Sequence, residues 1–426
     1  MSEILRELET SEFLTPQPDL LSTGVAGEKP RARRWGIAFG VYAVASNLDF
    51  TNAIWLIYLA SRGYNPFAIG LFEMVFHIAK FFAEVPTGVF ADLVGRRASL
   101  ILSCVFGVLS AALFLAPVPA LVVLAMALAG ISWAFKGGAQ EAALWTLAER
   151  AGASQQARRY SQLFSRFLVL TLIAAALGEA SGGYFGHFSI VIPYVFRAVT
   201  QLLAVVPLFF IPALRLAQPE HGERPRPLAH ALAGLHAAWR NPTLLALLLI
   251  SALEGTVFTT VNFYTQLAFN GLGFTLTAIG VIFGGAAVMD FLATMAAPRL
   301  IAHIPRHRLL AALIGVVALG LFAMGANQPL VSLLGFLLLF HVADAIFVPT
   351  ISTSLNERTP ETQRATVLSL ETGMFSLTMI AAFPLFGLGL TSIPYSVAYL
   401  GGGVALLAGV ALIVGAAALL RRSRRE

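Results

Sequence analysis

Twelve stretches of this chain are long and apolar enough to cross a lipid bilayer, which takes about 20 mostly apolar residues in helical form. They fall at roughly 35–60, 67–91, 98–116, 119–147, 161–186, 191–213, 242–268, 274–297, 308–326, 329–353, 366–390 and 394–419. In hydrocarbon every backbone N–H and C=O must find a partner inside the protein, so a run of this length has to be helical. Composition agrees. Hydrophobic residues make up 58% of the 426 and charged residues only 12%, with a mean hydropathy of +0.79. A soluble domain carries about twice that share of charge, and too little is present here to coat a water-soluble globule. The sequence predicts an all-α membrane protein with twelve transmembrane spans.

The connections between spans alternate in charge. Those after the even-numbered spans hold Arg96 and Arg97, then Arg150, Arg158 and Arg159, then Arg215, Arg224 and Arg226, then Arg299, Arg306 and Arg308, and finally Arg358 and Arg364. Those after the odd-numbered spans hold one arginine, Arg62. Basic residues also flank the membrane at Arg31–Arg34 and Arg421–Arg425. The positive-inside rule then puts both termini in the cytoplasm of a cell membrane, in keeping with an even number of spans. A bacterial inner membrane is the expected location. The same distribution argues against nucleic acid as the partner of this chain, despite its net charge of +6 and pI near 9.7, because the basic residues lie in short membrane-flanking loops. Residues 1–34 read as a polar cytoplasmic tail and not as a cleaved signal. The single cysteine, Cys104, excludes an internal disulfide or a cysteine metal cluster.

The longest interior connection, 214–241, reads as a cytoplasmic linker between an N-terminal half, 35–213, and a C-terminal half, 242–420, with 421–426 a basic tail. The halves resemble each other. GVFADLVGRRASL at 88–100 aligns without gaps to PRLIAHIPRHRLL at 298–310, an offset of 210 residues, and LAER at 147–150 matches LNER at 355–358. Similar loops in corresponding places of two six-span halves argue for a duplicated, pseudo-symmetric architecture.

Ionisable residues inside the spans carry the functional signal. Span 2 contains Glu73, His77, Lys80 and Glu84. On an insertion scale a mid-span Asp, Lys or Arg costs about 2.5–3.5 kcal/mol, while each large apolar residue returns roughly 0.3–0.6. Span 2 is therefore uncomfortable in lipid alone. Its four polar residues are spaced by four, three and four, which gathers them on an arc of about 60°. Such a stripe has to face other spans or a water-filled cavity. Further buried-looking charges are Asp49 in span 1, Lys136 and Glu141 in span 4, Arg166 and Glu179 in span 5, Glu254 in span 7, Asp290 in span 8, Asp344 in span 10 and Glu371 in span 11. For Glu141 and Arg166, near span ends, a structural ion pair or a snorkelling side chain serves as well. As a set, they mark a polar pathway.

Within the midplane and cytoplasmic half of the membrane, the N-terminal half holds Lys80, Lys136 and Arg166. The C-terminal half holds Asp290, Asp344 and Glu371. Bases on one half could pair with acids on the other as the cytoplasmic side closes, which would bias a two-state equilibrium.

The loop after span 2, Gly88-Val-Phe-Ala-Asp92-Leu-Val-Gly95-Arg96-Arg97-Ala-Ser-Leu100, resembles the G-x-L-a-D-r-x-G-r-r-x-x-l signature of the major facilitator superfamily. It departs at Phe90 and Leu93. The resemblance implies the two-half, twelve-span fold of that family, with Asp92 and Arg96 at a cytoplasmic gate. In span 5, Gly178-Glu179-Ala-Ser-Gly182-Gly183 is similar to the G-P-x-x-G-G element of the family's exporters, with Glu179 in place of proline. Ordinary small-residue packing of spans explains it too. The arginine expected in span 4 of those exporters is absent; Lys136 stands nearby, out of register.

These readings lead to a secondary transporter working by alternating access, with protons as the coupling ion, since no phosphate-cradling Walker sequence is present. Asp49, Glu73 and Glu254 are the candidate proton carriers, His77 a modulator of its neighbour Glu73, and Lys136 and Asp344 further cavity candidates. Trp55, Trp133, Phe258 and Phe263 suit an amphipathic substrate. The expected action is export of a small organic molecule by a monomer without cofactor or metal. Nutrient uptake, lipid or glycolipid flipping, and a membrane receptor or enzyme without transport stay open as rivals. The histidines of the linker, His221, His230 and His236, read as solvent-facing.

Overall fold

A computed structural model describes residues 25–116, 118–150, 156–211, 241–359 and 364–423. The first 24 residues, nearly all of the linker with its three histidines, and the last three residues lie outside the described part. Every regular element among the described residues is helical. Ten helices among the described residues are long and apolar enough to cross a membrane, from Pro66–Leu93 to Tyr395–Ser423, and the shorter Ile192–Leu208 makes span 6. With span 1 the twelve spans are complete.

Span 1 corrects the expectation of one continuous helix over 35–60. Helix Val25–Asn47 stops, residues 48–54 are irregular, and a short helix resumes at Trp55–Ser61. The cause is local. Asn47 turns its amide back onto the Ala43 carbonyl at 2.7 Å. The Asp49 carboxylate accepts from both the Thr51 N–H at 3.0 Å and the Thr51 hydroxyl at 2.7 Å. Short polar side chains thus offer the backbone partners that compete with the helix ladder. Span 10 is also irregular: Pro329–Leu334 passes into a π-helical turn, Gly335–His341, before Val342–Glu357.

The internal repeat is visible in three dimensions. Gly95 takes φ = 120°, a backbone a side chain would strain, and turns the chain into span 3. Arg96, buried in its own half, donates to the Ala142 carbonyl of span 4 at 2.5 Å and to the Thr146 hydroxyl. Its counterpart at the 210-residue offset, Arg306, pairs with Glu357 at the end of span 10. Arg97 reaches the Ile211 carbonyl after span 6 at 2.9 Å. These three arginines tie their loops to their own halves, while Asp92 stays exposed.

The halves meet along two seams. Spans 5 and 8 approach through Gly183 and Gly280, where a Cβ on Gly280 would come within 2.7 Å of the Glu179 carbonyl. Spans 2 and 11 approach at Gly70, where a Cβ would lie 2.6 Å from Pro384 Cα. Such backbone approach is the packing mode open to helices in lipid, where hydrophobicity alone does not drive association. Both seams lie toward the connection that holds Arg62. At the opposite ends of the spans Gly88, Gly137 and Gly138 have open space around them.

Candidate functional site

Between the halves lies a cavity of about 310 Å³, walled mainly by the N-terminal half. Span 2 contributes Glu73, Phe76, His77 and Lys80 to it, and the break in span 1 contributes Asp49, Thr51 and Asn52. The polar stripe of span 2 faces inward at Glu73, His77 and Lys80, whereas Glu84, at its far end, is exposed. His77 Nε2 stands 3.5 Å from Glu73 Oε1, one helical turn apart and both nearly inaccessible. Aromatic rings complete the walls: Trp55, Trp133 and Phe114 from the first half, Phe263 and Phe375 from the second. The ring of Phe375 meets that of His77 edge-on at 5.7 Å. Polar anchors amid aromatic walls are the usual make-up of a small-molecule site.

Asp49 has a partner the sequence reading missed. Arg197 in span 6 places Nη2 3.3 Å from its carboxylate. Arg197 Nη1 also donates to the Ser46 carbonyl at 3.3 Å and the Leu48 carbonyl at 3.4 Å, and Gln201 donates to Ser46 as well. Span 6 thus answers the carbonyls that the break in span 1 releases, as a broken helix at membrane depth requires. A single arginine in an otherwise apolar run hardly changes its hydropathy, so the sequence gives it no prominence. Lys136, off the cavity wall, donates to Asn47 Oδ1 at 2.8 Å on the other side of the same break.

Two more residues reach this break. Asn52 donates to Glu179 Oε1 at 2.6 Å. From the C-terminal half, Gln266 donates to the Asn52 carbonyl at 2.7 Å and accepts from the Leu56 N–H at 3.1 Å. Glu179, read from sequence as part of an exporter-like glycine element, therefore joins the polar hub of span 1. The glycines beside it do the packing: a Cβ on Gly178 would come within 2.6 Å of the Asp49 nitrogen.

The remaining candidates lie elsewhere. In the C-terminal half, His341 Nδ1 faces both carboxylate oxygens of Asp290 at 3.0 and 3.1 Å, and Nε2 faces Asn262 Oδ1 at 3.1 Å. His341 sits at the end of the π-helical turn and had no prominence in the sequence. Beside this triad the carboxyls of Glu254 and Asp344 adjoin, and Glu254 is 1% exposed with one oxygen lacking a hydrogen-bond partner. Neither lines the 310 Å³ cavity. Phe258 stacks on Phe340, also away from it. Glu371 accepts from Ser251 at 2.5 Å, and Arg166 and Glu141 are exposed. No ion pair among the described residues joins Lys80, Lys136 or Arg166 to Asp290, Asp344 or Glu371. Among the described residues no cluster suited to a metal ion is present.

Against known proteins, the model of the Major Facilitator Superfamily matches residues 35–326 and again 256–426. The MFS-type transporter YxaM of Bacillus subtilis (strain 168) is 25% identical over 362 residues, covering 83% of this chain and 86% of its own. Among solved structures, the nucleoside transporter NupG superposes with a TM-score of 0.71 at 14% identity, over 90% of this chain and 98% of NupG. A bacterial homolog of the human lysosomal transporter Spinster, inward-facing and unoccupied, gives 0.67 at 13% identity over 92% and 96%. A D-xylose-proton symporter gives 0.61 at 16% identity over 89% and 96%. These superpositions bear on the fold.

Proposed function

This chain belongs to the major facilitator superfamily and is a membrane transporter, and on that premise we propose that it exports a small amphipathic organic compound in exchange for protons. The two halves, 35–213 and 242–420, rock about the central cavity. With both termini in the cytoplasm of a bacterial inner membrane, the two glycine seams lie on the outer side, and the cavity opens inward to collect its substrate.

The observation that carries this reading is the double engagement of Arg197. It answers the charge of Asp49 in the cavity and also holds the carbonyls of the span 1 break. A proton arriving on Asp49 removes the charge Arg197 faces and leaves the guanidinium to the Ser46 and Leu48 carbonyls alone, which changes how the break is held. Gln266 links that same break to the opposite half, so a local protonation changes the stability of the outer seal. Coupling of this kind needs an element with two arrangements whose balance the proton shifts. Glu73, paired with His77 one helical turn along span 2 on the wall of the same cavity, is the second proton carrier on this reading. Glu254 and Asp344, with Asp290 and His341, form a reserve of acid–base groups in the other half. Lys80, Lys136 and Arg166 meet Asp290, Asp344 and Glu371 when the inner side closes. Asp92 and Arg96 help form that inner gate.

Export is favoured by the aromatic walls and by the exporter-like glycines of span 5, which build one of the seams. Uptake of a polar nutrient is the second reading, favoured by the Asp49–Arg197 and Glu73–His77 pairs in the cavity and by the likeness in fold to nucleoside and xylose transporters. Inside-out vesicles loaded against a panel of cationic, neutral and acidic compounds decide between them. Accumulation driven by an acidic lumen supports export. Accumulation in right-side-out vesicles alone overturns it.

A further inference from the structure

A second concavity lies on the outside of the C-terminal half, between the start of span 7 and the end of span 12. It measures about 250 Å³, and its lining is wholly apolar: Leu245, Ala246 and Leu249 on one side, Leu412, Ile413 and Ala416 on the other. Leu412 is 73% exposed and Leu420, at the rim, 42%, so the groove opens to the lipid. An acyl chain fits a groove of this kind.

What distinguishes the groove from ordinary lipid-facing surface is its mouth. Arg421 and Arg422 occupy the last turn of span 12. Arg421 does not swing free: Nη2 donates to the Thr243 hydroxyl at 2.7 Å, fixing the guanidinium across the opening. The other side of the mouth is the N-terminal end of span 7, where the helix dipole is positive. One arginine held in place and a helix start thus meet at the mouth of the groove. Two more arginines, Arg424 and Arg425, follow in the sequence. No carboxylate is among the groove's lining residues.

We propose that this groove is a specific binding site for an anionic phospholipid of the leaflet that bears the C-terminus, one acyl chain lying between spans 7 and 12 and the phosphate held by Arg421, with Arg422 of the same last turn adding to the positive field. Basic pockets between transmembrane helices select anionic headgroups, with about 1 kcal/mol for each Lys or Arg near the surface. Span 7 carries Gln266, Asn262 and Glu254, so a lipid seated here steadies the helix that clasps the break in span 1.

The test uses the purified full-length protein in a neutral detergent, titrated with dioleoyl-phosphatidylglycerol and, separately, dioleoyl-phosphatidylcholine. Native mass spectrometry counts bound lipid, and thermal unfolding reads its effect. Expected is one saturable phosphatidylglycerol with a raised unfolding midpoint, no saturable phosphatidylcholine, and no shift with inorganic phosphate or glycerophosphoglycerol. Arg421→Ala with Arg422→Ala weakens phosphatidylglycerol binding about 30-fold. Ala416→Trp, on an exposed face where bulk is tolerated, fills the groove and abolishes the saturable site with both arginines intact. Equal binding of the two lipids overturns the proposal. So does unchanged phosphatidylglycerol binding in the double variant or in Ala416→Trp, or a shift produced by headgroup or phosphate alone.

Discussion

The side-chain amide of Gln266 donates to the backbone carbonyl of Asn52 at 2.7 Å, across the junction between the two halves. Its oxygen meanwhile accepts from the Leu56 N–H, 210 positions away in sequence. One residue of span 7 thus bridges the break in span 1, and the clasp lies on the side where the glycine seams close. Two such hydrogen bonds contribute about 1–3 kcal/mol together. Gln266→Leu is expected to shift the balance between the two faces by about 5- to 150-fold toward opening of the sealed side. Spin labels at Arg62→Cys and Ser392→Cys, in two connections on that side, read the shift as a longer distance. An unchanged distance distribution removes the clasp from the gating account.

Arg197 and Asp49 are not equivalent partners. Asp49→Asn takes away one charge but leaves Arg197 on the Ser46 and Leu48 carbonyls. Arg197→Met strips those carbonyls of a donor and leaves a carboxylate without its cation, at about 1–3 kcal/mol for each unsatisfied group. The thermal midpoint of the purified protein should fall several times further in Arg197→Met than in Asp49→Asn. Equal losses would mean the arginine acts only through the ion pair.

Glycines at the seams and glycines in the open differ in what they tolerate. Gly183 packs against the Gly280 backbone with no room for a Cβ, whereas Gly137 faces open space. Gly183→Val should destabilise the protein by about 1–3 kcal/mol through overpacking. Gly137→Ala, in the interior of a helix, should be neutral or gain up to about 1 kcal/mol. Thermal unfolding of the two variants side by side checks this, and similar midpoints would speak against the seam.

The single cysteine makes the cavity easy to probe. Cys104 is 1% exposed, so the native protein should resist N-ethylmaleimide while folded. Lys80→Cys places a thiol on the cavity wall and should react with a membrane-impermeant maleimide from the cytoplasmic side. Reaction only from the opposite side would reverse the assigned orientation.

Much of this architecture is written in the chain at the scale where lipid chemistry acts. Twelve apolar runs and a polar stripe of period near 3.6 follow from the cost of exposing charge or backbone to hydrocarbon, and the cavity face of span 2 was legible from that alone. What escaped the sequence was set by partners distant in the chain. The break in span 1 hides inside a run whose average hydropathy is high, because Asn47, Asp49 and Thr51 act singly on the backbone. Arg197 and His341 are one polar residue each in apolar helices, and only packing gives them Asp49 and Asp290. Phe258 shows the converse: an aromatic residue chosen for a substrate site that the fold uses in a stack with Phe340.

The central claim is that protons drive transport through Asp49 and Glu73. Its most direct test is uptake of a compound panel into proteoliposomes under an imposed pH gradient, comparing the native protein with Asp49→Asn and Glu73→Gln. The account predicts gradient-driven accumulation by the native protein, lost in both variants while they still exchange substrate without a gradient. Gradient-driven accumulation of the same size in all three would contradict it.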